Sequence, residues 1–540
     1  MADGSRTSTA APVWARVLMP SMADLIFVAL FAALVFTPLA MRLLGDAGIG
    51  WHIRAGQQIL ATHSIPRVDS FSSTMGGQPW YAWEWLYDLV VGRLEAVLGL
   101  NGVVWFTALV IAAVFAWLFR LLIVRGSNVL VALALVLLAF AASMIHMLAR
   151  PHVVSWLFTL AWFWILQSSE RESIHGQTRR LWVLPLLMLV WVNVHGGFVL
   201  GFVLLAIFLL GAIWDWWRTH ENRIEDVLAR IAARKRSRAL AGAGLLSLAA
   251  SLVNPYGLKL HLHVYSYLSD SFLMNHIEEF RSPDFHSVAQ KCFLLLLLVT
   301  VATLAVRGRQ LRMSEALTVL FAMYAGVYAS RGIPVSSLLL VMVVGPLLSL
   351  PGVGQRFSAR MTSVEQGLRG HVWPVAVGVL TLLIAANGGR IGSSQLMDAH
   401  YDSRRMPVRA VEFLNRRLNR DPRLSPPAKL EAFETVTVHG PVLSPDYWGG
   451  YLIYRLYPKA QVVADDRHDL YGEEFFKSYL KMWRVEPGWD EFLSEHDIGC
   501  ALLPRQSALA SILLETGRWK TAYEDETAIL FVPAGSKTIR

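Results

Sequence analysis

"GDAGIGWHIRAGQQIL" occupies Gly45–Leu60 and follows directly on the apolar run 24–44. That run is long enough to cross a bilayer, which takes about 20 mostly apolar residues. Asp46 therefore stands where a helix leaves the hydrocarbon, with Trp51, His52 and Arg54 just behind it. No base follows this carboxylate at helical spacing. Two readings stay open for Asp46: it caps the helix that follows, or it is a reacting group held at the membrane rim, where polar side chains are costly and mark function.

Composition places the whole chain in the same setting. Of 540 residues, 54% are hydrophobic and only 16% are charged, against about 25% charged in a soluble domain. Mean hydropathy is +0.43. These values specify a polytopic α-helical membrane protein. Eleven candidate spans are expected, at roughly 24–44, 101–122, 129–148, 152–167, 181–194, 197–215, 239–253, 291–306, 314–330, 333–350 and 372–389. "NVHGG" leaves room only for a tight hairpin between the fifth and sixth. The first span is too long for a signal-peptide core, so an uncleaved first helix is expected.

The net charge of +9 does not argue for nucleic acid, because the bases collect in alternate short loops. Arg120 and Arg125, then Arg171, Arg179 and Arg180, then Arg307, Arg309 and Arg312, then Arg356, Arg360 and Arg369 fall on one side. Arg6 and Arg16 precede the first span on that side. Basic loops stay cytoplasmic, which puts the N-terminus inside and Asp46 outside. "RIEDVLARIAARKRSR" reads either as a helix lying on the anionic inner leaflet or as a solvated connector. Cys292 and Cys500 give no disulfide framework.

From about Ile391 the composition turns polar and mixed. "PVRAVEFLNRRL", "GEEFFKSYLKMW" and "SALASILLETG" carry helical patterns; "AQVVADD", "IGCALLP" and "AILFVP" read as buried strands. The expected division is a membrane domain over 1–390, with a long first outer loop at 45–100, and a soluble α/β domain over 391–540 on the outer face. A domain of 150 residues is of ordinary size.

The first outer loop is far longer than a connection requires, and such loops are usually functional. It holds two expected helices. In the first, Ile49, Ile53, Gly56 and Leu60 share a face, with His52, Arg54 and Gln58 elsewhere. In the second, Glu84, Asp88 and Glu95 share the polar face. Asp88 and Glu95 read as solvated. Asp69 lies in the turn-rich stretch between the helices. Other outer loops add Arg150 and His152 in "ARPH", Asn193 and His195 in "NVHGG", Asn254 and Tyr256 in "NPYG", Arg281 in "EEFRSPDFH" and Arg331 in "SRGIP". Arginines suit phosphate, an exposed carboxylate suits a general base, and aromatics suit sugar faces. Together they suit a lipid-linked phosphosugar entering from the bilayer.

At this point the sequence resembles the GT-C superfamily of polyprenyl-phosphate-dependent glycosyltransferases. "GDAGIGWHIRAGQQIL…IPRVDSFSSTMGGQPWYAWEWL", "NPYG", "SPDF", "DYWGGYLIYRLYP" and "ADDRHDLYG" are similar to a bacterial group within it. The resemblance implies a GT-C-like membrane domain, a bacterial inner-membrane location and a periplasmic C-terminal domain. It implies inverting transfer of a sugar from a polyprenyl-phosphate donor to a periplasmic glycan, lipid or protein. Asp46 matches the catalytic acidic position and Glu84 a second acidic position. His52, Arg54, Asp69, Arg150, His152, His195, Asn254, Tyr256, Arg281 and Arg331 are the candidate substrate-binding residues. Arg54 has a structural alternative, as a partner for Asp46. The oligosaccharyltransferase branch has a second acid two residues after the first, helping to hold a divalent metal. Here that position is Gly48, so a metal-independent site with no required cofactor is expected. "ADDRHD", residues 464–469, reads as a strand end with a structural ion pair. Two other classes remain, a lipid or lipid-linked-sugar transporter and a non-catalytic envelope-assembly protein. No internal repeat of the kind transporters carry is visible.

Overall fold

The structure is a computed structural model that describes residues 17–171, 178–219, 223–348, 355–368, 371–418 and 440–534. Arg6, Arg16 and Arg369 lie outside these residues. Among the described residues, five helices are long and apolar enough to cross a membrane: Leu100–Val124, Val129–His146, Gly196–Arg218, Val288–Gln310 and Ser330–Leu347. The pair Phe357–Gly367 and Val372–Ala386 makes a sixth if counted as one bent span. The chain is a multi-pass membrane protein, and among the described residues the helices of full spanning length number fewer than the eleven expected segments.

Local chemistry explains the shortfall. The first expected span ends at Phe36 and resumes as the short helix Leu39–Leu43, because Pro38 lacks an N–H to continue the ladder. Met22–Phe36 and Met313–Tyr328 remain apolar but short. The hairpin segment near 181–194 is a 3₁₀ turn, Thr178–Val183, leading into the eight-residue helix Leu184–Trp191. The basic connector and the seventh span form one continuous 28-residue helix, Ile224–Ser251.

The two helices expected in the first outer loop are present, Ile49–Thr62 and Trp85–Leu98. They pack backbone to backbone. A Cβ on Gly56 would collide with the Asp88 carbonyl, and one on Gly92 with the Gly56 backbone. This close approach buries His52 and Asp88, at 1% and 0% exposure. Both therefore depart from the sequence expectation. His52 does not face away from the packed side, and Asp88 is not solvated, because the glycine contact leaves no room for water between the helices.

The C-terminal domain is built on a four-stranded sheet. With β1 (Arg390–Ile391) and β2 (Ser394–Gln395) forming a small separate hairpin, the sheet holds β3 (Val442–Leu443), β4 (Cys500–Pro504), β5 (Trp519–Glu524) and β6 (Ala528–Pro533). Its order is β3-β4-β6-β5, with β3 parallel to β4 and the other pairs antiparallel. The apolar runs "IGCALLP" and "AILFVP" supply β4 and β6 as expected; "AQVVADD" gives only bridges at Val462. Those bridges matter, because Val462 pairs with Val442 on one side and with Ser72 of the first loop on the other. The first loop is thus stitched to the edge of the C-terminal sheet. Helix Asp446–Leu456 packs on helix Ile49–Thr62 from the same side, with Ile49, Ile53, Trp448 and Leu452 in one apolar core.

Candidate functional site

A cavity of about 1470 Å³ opens where the first loop, the outer helix ends and the C-terminal domain meet. This exceeds the 300–1,000 Å³ typical of small-molecule sites. Asp46, His52, Glu84, Arg150, His152, His195 and Arg331 all line it. Residues from segments nearly 300 positions apart in sequence share one chamber.

Asp46 does not cap the helix that follows: Gly48 stands at the N-cap with no side-chain cap bond, and Asp46 Oδ1 accepts the Gly48 N–H at 2.7 Å in the turn just before it. The same oxygen lies 3.2 Å from Arg150 Nη2. For Oδ2, no partner is recorded among the described residues. One oxygen is fixed while the other remains available to a ligand. Arg150 Nη2 is also paired with Asp466, and Trp51 donates its indole N–H to Asp466 at 3.0 Å. The space that a side chain at position 48 would fill is taken by Arg150 and Asp466.

Glu84 precedes helix Trp85–Leu98 and sits between two imidazoles. His52 Nε2 is 3.7 Å from Oε2, and His195 Nε2 is 3.7 Å from Oε1. His195 Nδ1 accepts from the Gly197 N–H at 3.0 Å and lies 2.8 Å from the Ser155 hydroxyl, while its Nε2 lies 3.3 Å from Arg331 Nη2. Behind Glu84, His52 Nδ1 meets Asp88 Oδ1 at 2.6 Å. Burial, followed by the charge of Arg150, pushes His52 well below its usual range. Burial, followed by the charge of Glu84, pushes Asp88 well above its own. Both shifts favour a neutral pair sharing one proton. Burial also lifts Glu84, to about 8, against the opposing pull of Arg150 and Arg331.

Arg331 is held by an ion pair to Glu279 and lies 5.2 Å above the Phe280 ring. Burial alone would raise the Glu279 carboxyl, but the Arg331 guanidinium outweighs it and brings the group down to about 2. His152 donates to the His146 carbonyl at 2.7 Å, which fixes its ring at the cavity wall.

The remaining candidates lie away from the chamber. Arg54 bonds the Tyr454 carbonyl and Gln57 and does not pair with Asp46. Asp69 accepts from Phe71 and Ser72 and pairs with Arg467 at 2.8 Å. Asn254 closes its own turn through Ser251 and Gly257. Tyr256 is a strut: its hydroxyl accepts from Ala82 and donates to the Pro66 carbonyl. Arg281 is exposed, and its carbonyl accepts from Ser330.

The C-terminal contribution was not anticipated. "ADDRHD" does contain the expected ion pair, with Arg467 forked onto Asp465 at 2.7 and 2.8 Å. Asp466, His468 and Asp469 from the same stretch line the cavity, as do Arg404 and Arg405. The signal was present: neighbours on extended chain face opposite ways, so an inward Asp465 sends Asp466 outward.

No family model matches this chain, and no curated protein matches it. Solved structures do. The archaeal oligosaccharyltransferase AglB from Archaeoglobus fulgidus, in complex with an inhibitory peptide and a dolichol-phosphate, aligns with a TM-score of 0.54 and 9% identity, covering 89% of this chain and 69% of its own. The apo form of the Archaeoglobus fulgidus oligosaccharyltransferase gives 0.52 and 12%, over 89% and 68%. ArnT from Cupriavidus metallidurans bound to undecaprenyl phosphate gives 0.44 and 13%, over 95% and 98%. At these identities the likeness is one of fold: this chain shares the fold of the two oligosaccharyltransferase structures over 89% of its length.

Proposed function

We propose that this chain is an inverting glycosyltransferase that moves a sugar from a polyprenyl-phosphate donor to a periplasmic glycan, lipid or protein. The observation that carries the reading is the convergence of Asp46, Arg150 and Arg331 on one chamber at the ends of membrane helices. The basic residues of alternate loops support a bacterial inner-membrane protein with this chamber on the outer face.

In this reading Asp46 Oδ2 takes the proton of the acceptor hydroxyl. The acceptor oxygen bonds to the anomeric carbon as the carbon–phosphate oxygen bond breaks, through a transition state of oxocarbenium character. Arg331, oriented by Glu279, and Arg150, oriented by Asp466, stabilise the departing phosphate, a contribution that is often the largest in such sites. A phosphate leaves without prior protonation, so a single base suffices. A positioned base contributes about 10²–10⁴-fold.

In this reading no divalent metal is required, because the Arg150 guanidinium supplies the cation beside Asp46, 3.2 Å away.

The deciding experiment is Asp46→Asn, assayed for transfer from polyprenyl-phosphate sugars in membranes. Turnover should fall by about 10²-fold or more while the protein stays folded. Near-normal turnover in a well-expressed variant rejects Asp46 as the base.

A further inference from the structure

Glu84 differs from the three carboxylates that hold the chamber's arginines. Asp46 and Asp466 share Arg150, and Glu279 holds Arg331. Glu84 has no bonded cation. Its two oxygens face imidazoles at 3.7 Å, beyond hydrogen-bond distance, and it is only 9% exposed. Behind His52, Asp88 is fully enclosed, and its Oδ2 has no hydrogen-bond partner. A buried carboxyl without a paired cation is cheapest when it is neutral.

Resting on the glycosyltransferase reading above, we propose that Glu84 works as a neutral carboxylic acid that donates a hydrogen bond to the phosphate of the lipid-linked donor, held in place by the His52–Asp88 pair. His52 and Asp88 are positioning residues: they close the wall behind Glu84 and supply no charge to pull its proton away.

The groups facing Glu84 support this arrangement from each side. His52 and His195 present imidazoles, and Trp83 an indole N–H. Arg150 and Arg331 are the nearby cations, while Asp469 of the C-terminal domain adds negative potential. Burial sets the balance, and the group holds its proton up to about pH 8. A phosphate seated between the two arginines adds a further negative charge, which strengthens the neutral form. The proton stays on Glu84 throughout. The donor's phosphate is a diester with no second proton to take up, and the monophosphate that leaves releases its own near pH 6, so neither takes a proton from a weaker acid. An ionised Glu84 would instead repel the phosphate.

The test measures binding of a short-chain polyprenyl monophosphate to the full-length protein in detergent, from pH 7 to pH 9.5. Over this range the probe's own charge is constant. Wild-type affinity should weaken by about tenfold between pH 7 and pH 9, following the protonated fraction of Glu84. Glu84→Gln keeps a neutral donor of similar shape; it should bind as tightly as wild type at pH 7 and lose the alkaline decline. Glu84→Ala should bind weakly at all pH values. Wild-type affinity that is flat to pH 9.5, or Glu84→Gln binding as poorly as Glu84→Ala, overturns the proposal and leaves the donor class standing. Absence of binding at every pH overturns the donor class as well.

Discussion

Trp51 of the first loop donates its indole N–H to Asp466 of the C-terminal domain at 3.0 Å. The contact joins two parts of the chain more than 400 residues apart, directly beside Asp46. Asp466 also fixes Arg150, whose guanidinium is the nearest cation to the proposed base. The C-terminal domain is therefore a wall of the chamber rather than an appendage to it.

Asp466→Ala should lower transfer by about 10²-fold, because Arg150 loses one of its two anchors and small displacements of a positioned group are costly. Expression and the melting temperature should change little, since Asp466 lies at the chamber surface. Transfer kinetics in proteoliposomes check this. Full activity would show that Arg150 is held by Asp46 alone.

Much of this arrangement was readable in the sequence. The carboxylate after the first span, the two loop helices and the polar helix ends were all visible as departures from an apolar background. What local pattern did not show was depth. His52 and Asp88 read as polar faces because periodicity records which residues lie together and not what packs on them; the Gly56–Gly92 approach decides that. Arg54 and Asp69 read as site residues from proximity in sequence, yet tertiary partners, the Tyr454 carbonyl and Arg467, take them elsewhere. Pro38 and the 3₁₀ turn at Thr178–Val183 shorten apolar runs that read as continuous in the sequence.

The Arg331–Glu279 pair gives a prediction in acid. Glu279 titrates at about 2 in the folded protein and near 4.5 when unfolded, so its contribution to stability is fully present above pH 4.5 and is lost as pH falls toward 2. Glu279→Gln lacks that contribution at every pH. Its melting temperature should lie below wild type at pH 7, and the gap should close between pH 4.5 and pH 2. Parallel melting curves with a constant gap down to pH 2 would contradict the assignment.

The buried Arg467 carries the clearest stability prediction. Its guanidinium forks onto Asp465, reaches Asp69 at 2.8 Å and lies 4.7 Å from the Trp80 ring centre. Asp69 and Arg467 are essentially inaccessible to solvent, with side-chain exposures of 0% and 1%. Removing Asp69 leaves Arg467 compensated by Asp465 but takes a bond from a buried charged group, which costs about 1–3 kcal/mol. Asp69 also accepts from the Phe71 and Ser72 backbone N–H groups, so Asp69→Ala loses the loop's own turn as well. Because Asp69 is in the first loop and Arg467 in the C-terminal domain, the damage should appear at their junction. Asp69→Ala should lower the apparent melting temperature in detergent and make the Gly45–Asn101 loop accessible to protease. Asp69→Asn, which keeps the turn acceptor, should recover part of the loss. An Asp69→Ala protein that melts with wild type would mean that the Ser72–Val462 bridge and the Asp446–Leu456 helix hold the two parts together without the ion pair.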